Sequence, residues 1–229
     1  MGDIRHIVWD WNGTLFDDQP LVTLSTNASL NAVGFPSLGA DHYQDLYRRP
    51  LQDFYFAMVG REFSEQEWER VEDAFSKTYA DGMHACGLTA DAITALDAWA
   101  PSSQSLLSMY DHDKLIPLVD TLGLGARLAR VDGRPPARDY GPKTKYLSAH
   151  LTHLQVAEPD LTPAQVALVG DCVDDALAAL EVGATAVLYT GGSSSRRNLE
   201  AAGLGLPVVD SLTEAVALLR GGRAWPPAV

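Results

Sequence analysis

Three carboxylates occupy positions at which they could bind a metal ion. Asp10 directly follows the apolar run 7–9, and Asp171 follows the apolar run 166–169 after one glycine. Asp175 lies four residues after Asp171 on the same side of a helix that begins there, so these two carboxylates repel each other. A helix N-terminus offsets such charge by only ~0.3–1 kcal/mol. Hard oxygen ligands favour Mg²⁺ or Ca²⁺; solvated acids in a first helical turn are an equally common alternative.

A hydroxyl and a lysine lie between these acids in the sequence. Ser108 follows the apolar run 104–107, and Lys143 follows a proline at the start of a helix-like segment. Lys145 is the alternative lysine, because the segment PKTK leaves the register open by two residues. Ligands of open α/β sheets bind at the carboxyl ends of the strands. We therefore expect the carboxylates that follow the first and fourth runs to lie close together.

Apolar runs that alternate with helix-like segments must position these residues. The runs are 5–9, 104–107, 127–131, 166–169, 185–189 and 207–209. The helix-like segments between or after them are 112–122, 142–153, 174–182 and 211–220. Strands that alternate with helices of this length indicate an α/β fold with a doubly wound, Rossmann-like parallel sheet.

A long interval after the first run departs from this alternation. It exceeds what a simple βαβ unit requires, and much of it is helical in character: 20–33, 42–48, 51–59 and 64–81. Ser64 and Glu67 have the spacing of a capping box. The sequence therefore predicts an inserted helical cap domain at 18–87, over the carboxyl end of the first strand, and a Rossmann-like core at 1–17 and 88–229.

The composition excludes several classes of protein. The 229 residues allow one core and a smaller accessory domain, and the net charge of −13 argues against a nucleic-acid-binding surface. No apolar run is long enough to span a membrane. The N-terminal residues lack a signal-peptide apolar region, so the sequon at Asn12 is not expected to be glycosylated. Two cysteines fit a reducing cytosol. We expect a cytoplasmic protein without nucleic-acid or membrane partners.

Four segments of the chain together match the motifs of a known family. The segment WDWNGTLFD resembles a first motif of the form Asp-x-Asp-Gly-Thr-Leu/Val-x-Asp, and GDCVDD resembles a fourth motif, Gly-Asp-x-x-x-Asp. Ser108 and Lys143 correspond to the second and third motifs. The sequence resembles the haloacid dehalogenase-like hydrolases over nearly its whole length. Most members of that superfamily are Mg²⁺-dependent phosphatases, and the helical insertion is similar to their C1-type cap.

The resemblance implies a nucleophile and a metal site. Asp10 becomes the nucleophile that forms an aspartyl-phosphate, a role that suits a carboxylate. Mg²⁺ is held by Asp10, the main-chain carbonyl of Asn12 and Asp171, with Asp175 close by. A metal ion in this place neutralises the repulsion between the nucleophile and the phosphate.

The resemblance also implies which residues bind the substrate. Ser108 and Thr14 are expected to donate hydrogen bonds to phosphate oxygens, and Lys143 is expected to balance the charge that develops there. Arg49 lies in the cap segment DHYQDLYRRPLQDFYF. It is interpreted either as a group that binds a second anion of the substrate or as a surface arginine that packs over tyrosines. The expected substrate is a small phosphorylated metabolite.

Asn12 departs from the family pattern. By resemblance, position 12 belongs to an aspartate that protonates the leaving oxygen and then activates water, whereas an amide cannot transfer a proton. General acid–base catalysis contributes about 10²–10⁴-fold, so a weakened phosphatase is expected. By itself, Asn12-Gly13 between apolar runs also predicts a hairpin turn.

The GGSSSRR segment at 191–197 is interpreted either as a backbone anion site or as a loop.

Several explanations of Asn12 remain open from the sequence. One explanation is that the leaving group needs no proton, as in acyl or aryl phosphates. Another is that a cap residue, a water molecule or Asp17 supplies the proton. Family branches that handle C–Cl or C–P bonds also lack this acid, and a deliberate Asp→Asn change to trap substrate is a further alternative. The predicted function is Mg²⁺-dependent phosphate hydrolysis through an aspartyl-phosphate. The alternatives are a catalytically silent phospho-ligand-binding or partner-binding protein, or a phosphotransferase.

Overall fold

The computed structural model describes residues 3–135 and 141–221, and its central feature is a parallel sheet. In chain order the strands are β1 (His6–Trp9), β2 (Phe16–Asp17), β3 (Gly87–Leu88), β4 (Ser103–Asp111), β5 (Val131–Arg134), β6 (Val166–Gly170), β7 (Thr185–Tyr189) and β8 (Val208–Val209). The helices are α1 (Gln19–Ala32), α2 (Ala40–Leu46), α3 (Leu51–Val59), α4 (Glu65–Gly82), α5 (Ala92–Trp99), α6 (His112–Thr121), α7 (Lys143–Ala157), α8 (Val173–Glu181), α9 (Arg196–Ala201) and α10 (Leu212–Arg220).

The order of strands in the sheet is β5-β4-β1-β6-β7-β8, and all neighbours are parallel. Every residue of β1 and β6 is buried, as expected of central strands with helices on both faces. From β1 the chain winds outward through β4 to β5, then crosses back to β6 and winds the other way. The switch point therefore lies between β1 and β6, where open α/β sheets bind ligands. The predicted Rossmann-like fold class is confirmed.

Apolar clusters on both faces of the sheet stabilise the core. One cluster joins the sheet to α5, α6 and α10, and includes Trp9, Leu96 and Leu115. The other joins it to α7, α8 and α9, and includes Leu147 and Leu168. Each large apolar side chain that is fully buried contributes about 1.5–3 kcal/mol to stability, so both faces hold the strand ends in fixed positions.

Helices α1 to α4 form a separate layer with its own apolar cluster. The cluster contains Leu30, Tyr43, Phe54, Tyr55, Phe63 and Val71. The capping box predicted at the start of α4 is present: the amide of Glu67 donates to Ser64 Oγ over 3.3 Å, and the amide of Ser64 donates to Glu67 Oε2 over 2.9 Å. The chain enters this layer through β2 and leaves it through β3, and these two strands pair antiparallel.

One predicted strand differs from the structure, and one helix has no counterpart among the predicted segments. The run 127–131 predicts a strand, but Gly125–Arg127 forms a 3₁₀ turn and β5 begins at Val131. Arg127 ends that turn, and its Nε donates to Asp97 Oδ1 over 2.7 Å. Residues 129 and 130 already exchange backbone hydrogen bonds with β4. Helix α5 was not predicted. No helix in the described ranges is long and apolar enough to cross a membrane.

A chain of hydrogen-bonded polar side chains crosses the sheet, away from the carboxyl ends of the strands. His6 contacts the hydroxyl oxygens of Ser103 (3.0 Å) and Ser105 (2.7 Å) through its two ring nitrogens. Ser105 Oγ lies 2.7 Å from His150 Nε2, and His150 Nδ1 lies 2.7 Å from Asp132 Oδ2. Burial, and to a lesser extent repulsion from His150, lowers the pKa of His6 to about 4. His6 is thus neutral at pH 7 in the folded protein.

We expect the neutral His6 to make the protein sensitive to acid. The unfolded chain takes up the proton near pH 6.5, whereas the folded chain does so only near pH 4, so stability falls as the pH drops below 6.5. Urea unfolding at pH 7 and pH 5 tests this with His6→Asn. The stability advantage of the wild type over the variant should shrink by about 2 kcal/mol at pH 5. A pH-independent difference would contradict this role.

Candidate active site

The loop after β1 places Asp10 at the switch point. The Asp10 amide donates to the carbonyl of Val169 over 2.9 Å, which extends the pairing of β1 with β6 by one residue. The loop then turns tightly at Gly13, whose φ is +71°. A Cβ atom on Gly13 would lie 2.5 Å from Asp171 Oδ2. Glycine is therefore required both for the turn and for the close approach of Asp171. Asn12 and Gly13 form this turn.

A buried lysine joins two of the predicted carboxylates. Lys143 Nζ forms ion pairs with Asp10 and Asp175, and the three residues are 3%, 7% and 1% exposed. Lys143 is the first residue of α7. Lys145, the other candidate, lies on the exposed side of α7 with its ammonium 5.7 Å from the Tyr146 ring centroid. The structure thus brings Lys143 into the carboxylate cluster.

Asp171 completes the carboxylate cluster from the end of β6. Its Oδ2 accepts a hydrogen bond of 2.5 Å from the amide of Ser193. A Cβ atom on Gly192 would lie 2.2 Å from the same oxygen. Burial and the nearby charges of Asp10 and Asp175 raise the pKa of Asp171 well above its ordinary value. Burial is also the main cause that raises the pKa of Asp10 to about 6, against the effect of Lys143.

This donor set fits a hard divalent cation. Asp171, Cys172 and Asp175 have ligand atoms within 4.8 Å of one another. The pKa of the Cys172 thiol is raised well above its usual value, mainly by burial, and its Sγ donates to Asp175 Oδ2 over 3.1 Å. A protonated thiol is a poor metal ligand. The oxygen atoms therefore remain as ligands. A cation among them would offset the burial and, to a lesser extent, the mutual repulsion that raise the pKa values of Asp10 and Asp171.

The predicted phosphate-binding hydroxyls lie in two different environments. Ser108 Oγ accepts from the amide of Tyr110 (2.9 Å) and lies 3.4 Å from Asn12 Oδ1. Thr14 is fully buried, and among the described residues its hydroxyl has no hydrogen-bond partner. Its carbonyl accepts from Thr89 Oγ1 over 2.5 Å. Phosphate binding by Ser108 and Thr14 stays a prediction.

Asn12 is held by two residues that the motifs did not single out. Its Nδ2 lies 2.8 Å from Asp18 Oδ2 and 2.9 Å from the hydroxyl of Tyr79. The Tyr79 hydroxyl donates to Asp18 Oδ2 over 2.6 Å, and the amide of Gly13 donates to Asp18 Oδ1 over 2.8 Å. Because Tyr79 belongs to α4, this network links the helical layer to the loop that follows Asp10. Burial raises the pKa of Asp18, and these hydrogen bonds oppose the rise.

The segment 191–197 contacts Asp171 on one side and α2 on the other. Its Ser193 amide is directed at Asp171, and Ser195 caps α9, accepting from the amide of Asn198 over 3.2 Å. The same segment binds α2: Gln44 Nε2 donates to the carbonyl of Gly192 (2.7 Å), and Ser195 Oγ donates to Asp45 Oδ1 (2.6 Å). Residues 190–195 are irregular backbone that joins the helical layer to Asp171, and anion binding by this segment stays a prediction. Two successive glycines after β7 were the only sequence signal for this loop.

Arg49 faces the cluster from the helical layer. Its guanidinium is hydrogen-bonded to the hydroxyl of Tyr47, and its charge acts on Asp174 at the start of α8. Burial raises the pKa of Asp174, and the charge of Arg49 opposes that rise. Both interpretations from the sequence thus have a basis in the structure, since Arg49 contacts a tyrosine and also approaches the acidic edge of the sheet.

Comparison with known proteins identifies the fold. Residues 142–215 match the HAD-hydrolase-like family model. No curated protein sequence matches the chain. A haloacid dehalogenase-like family hydrolase from Streptococcus pneumoniae superposes with a TM-score of 0.76 at 21% identity, over 95% of this chain and 99% of that one. A predicted phosphatase from Clostridium acetobutylicum gives 0.76 at 17% identity, over 95% and 99%.

A third similar structure is the Mycobacterium tuberculosis protein tyrosine kinase A, with a TM-score of 0.74 at 18% identity, over 96% of this chain and 99% of that one. At these identities structural similarity establishes the fold. The matched segment 142–215 adds sequence support over the part that contains Lys143, Asp171 and Asp175. The recognition of this fold family from the sequence motifs is therefore confirmed.

Proposed function

We propose that this chain, which has the fold of the haloacid dehalogenase-like hydrolases, is a Mg²⁺-dependent phosphatase that uses Asp10 as its nucleophile. The observation that carries the proposal is the buried cluster at the switch point, where Lys143 pairs with Asp10 and Asp175 beside Asp171. A structural role alone does not explain so many buried carboxylates, because unpaired buried charge is costly. Perturbed acids in a cleft are typical of functional sites.

In the proposed first step, a carboxylate oxygen of Asp10 attacks phosphorus in line. A bond from Asp10 to phosphorus forms, the ester P–O bond breaks, and the leaving oxygen departs with the electron pair. In the second step water attacks the aspartyl-phosphate, releases phosphate and restores Asp10. Mg²⁺, held by Asp10, the carbonyl of Asn12 and Asp171, with Asp175 close by, would supply charge neutralisation between nucleophile and phosphate.

The remaining residues are proposed to orient the substrate and to balance its negative charge. Lys143 keeps Asp10 ionised and in place through its ion pair, and balances negative charge on the phosphoryl group. Ser108 and Thr14 are assigned to the phosphate oxygens. Arg49, which approaches the cluster from the helical layer, is assigned to an anionic part of the substrate. The substrate class is a small phosphorylated metabolite, with the helical layer excluding bulk water from the site.

A phosphotransferase is the second candidate, and Asn12 favours it. Without a carboxylate at position 12, the aspartyl-phosphate lacks a general base for its hydrolysis, so it lives longer and can meet another acceptor. The similar fold of a protein named as a tyrosine kinase fits such a use. A catalytically silent phospho-ligand-binding protein is the third candidate. Turnover with phosphate release separates the first candidate from both others.

The experiment that tests the proposed function is a screen of phosphorylated metabolites and aryl phosphates for phosphate release. We expect release with Mg²⁺ and its loss with excess chelator. Transfer of the phosphoryl group to an added hydroxyl acceptor, with little free phosphate, would favour the second candidate. Binding of phosphorylated compounds without any turnover would favour the third.

We expect Mg²⁺ to stabilise the folded protein, because it relieves repulsion among buried carboxylates. A ligand that binds only the native state adds about 2.7 kcal/mol at a hundredfold excess over its Kd. Thermal melts with and without millimolar Mg²⁺ measure this effect, and Asp171→Asn is the matched variant in which most of the rise should disappear. An unchanged melting temperature, together with no binding heat in calorimetry, would count against the metal site.

A further inference from the structure

Both N–H groups of the Asn12 amide are occupied by residues outside the reaction centre. Nδ2 lies 2.8 Å from Asp18 Oδ2 and 2.9 Å from the Tyr79 hydroxyl oxygen. Asp18 is fully buried and Tyr79 is nearly so, whereas Asn12 is partly exposed. The amide therefore directs its nitrogen toward the interior, between β2 and α4.

The opposite orientation of the amide is excluded by the chemistry of its partners. An ionised Asp18 carboxylate only accepts hydrogen bonds, and Tyr79 has one proton, which it donates to Asp18 over 2.6 Å. The group that faces both of them must therefore be a donor. In a flipped amide, Asn12 Oδ1 would face Asp18 Oδ2. Both atoms are acceptors, so no hydrogen bond could form between them, and the buried carboxylate would lose a donor.

With its nitrogen fixed, Asn12 presents only its oxygen to the site. Oδ1 lies 3.4 Å from Ser108 Oγ, the hydroxyl at the end of β4 that is assigned to phosphate. We propose that Asp18 and Tyr79 are positioning residues that lock Asn12 as a pure hydrogen-bond acceptor, and that the site acts on phosphates whose leaving oxygen is stable as an anion, namely acyl, enol or aryl phosphates. This inference rests on the proposed function.

The two steps of the reaction make different demands on residue 12. When the Asp10–phosphorus bond forms and the P–O bond breaks, the leaving oxygen keeps the electron pair, and an acceptor at position 12 gives it neither a proton nor a hydrogen bond. Carboxylate, enolate and phenolate carry that charge themselves, whereas an alkoxide needs a proton. In the second step Asn12 Oδ1 accepts a hydrogen bond from the attacking water, whose proton leaves with the released phosphate.

The test exchanges the two side chains. Asn12→Asp combined with Asp18→Asn places a carboxyl at position 12 and keeps donors facing acceptors: the new amide and Tyr79 donate to residue 12, and the Gly13 amide donates to residue 18. Asn12→Asp alone brings two carboxylates together, because Nδ2 now lies 2.8 Å from Asp18 Oδ2. Wild type, both single variants and the exchange variant are assayed on alkyl phosphates and on aryl phosphates of graded leaving-group acidity.

We expect wild-type rates to fall steeply as the leaving group becomes less acidic. The exchange variant should hydrolyse alkyl phosphates faster than wild type, by up to roughly 10²–10⁴-fold, with a smaller gain in the release of phenol from the most acidic aryl phosphate. Asn12→Asp alone should gain less than the exchange variant. Wild-type rates that are equal for alkyl and aryl phosphates, or an exchange variant without improvement on alkyl phosphates, would overturn the proposed substrate class.

A stability measurement separates this inference from the proposed function. Asn12→Asp should lower the thermal unfolding temperature without added metal, and Asp18→Asn in the same chain should restore most of that loss. Losses that merely add would overturn the positioning role. If none of the proteins releases phosphate from any substrate, the proposed function fails, and the unfolding cycle still decides whether Asp18 fixes the Asn12 amide.

Discussion

Asp10→Asn is expected to abolish phosphate release while leaving the fold intact. The amide has nearly the same size and can stay at the end of β1, but it cannot attack phosphorus. Loss of a covalent nucleophile costs at least about 10⁴-fold in kcat. Steady-state phosphate release with Mg²⁺ measures the effect, and the circular dichroism spectrum and thermal melt show that the chain is folded.

Asp120→Asn is the matched control for this change. Asp120 is an exposed aspartate of α6, so the same chemical substitution should leave the rate unaltered. Substantial phosphate release by purified Asp10→Asn would rule out the covalent route through Asp10, provided that mass spectrometry shows the introduced amide to be intact in that preparation.

Lys143→Met is expected to reduce both stability and activity. The ammonium lies between Asp10 and Asp175 in a buried environment, and removing one partner of a buried ion pair costs about 3–5 kcal/mol. Without the ammonium the carboxylates repel each other, so Mg²⁺ should restore part of the stability. Urea unfolding with and without Mg²⁺ measures the loss and the rescue, and phosphate release is expected to fall by about 10²–10³-fold.

Lys145→Met is the control for this pair of effects. It removes the same charge two residues later, from the exposed side of α7. Lys145 contacts the Tyr146 ring, and interactions of exposed charges are weak, so we expect a much smaller loss of stability than for Lys143→Met and a rate near the wild type. Equal effects of the two substitutions would show that net charge, rather than the buried pairing of Lys143, accounts for the loss.

Much of the fold could be predicted because its signals are local. β1 and β6 are continuous apolar runs, and each is followed by a carboxylate at its end. The rule that ligands bind at the carboxyl edge of an open parallel sheet then placed Asp10 near Asp171 without any knowledge of the packing. The capping box of Ser64 and Glu67 is likewise complete within one helical turn.

The parts of the site that were missed depend on contacts between distant residues. Tyr79 reaches Asn12 across 67 positions of the chain, and its spacing in α4 indicated only an apolar helix face. Ser193 binds Asp171 through its backbone amide, which carries no side-chain signature. Asp18 lies one residue beyond the matched motif, and only its burial and three donors make it the acceptor that faces residue 12.

The most direct test of phosphoryl transfer through Asp10 is to trap the intermediate. The wild-type protein is mixed with an aryl phosphate and Mg²⁺, quenched rapidly in acid and digested, and the phosphoryl group is located by mass spectrometry. We expect a hydroxylamine-labile phosphoryl group on the peptide that contains Asp10, at a level raised by the amide at position 12, and its absence in Asp10→Asn. Phosphate release in the steady state with no acyl phosphate on any aspartate would contradict the mechanism.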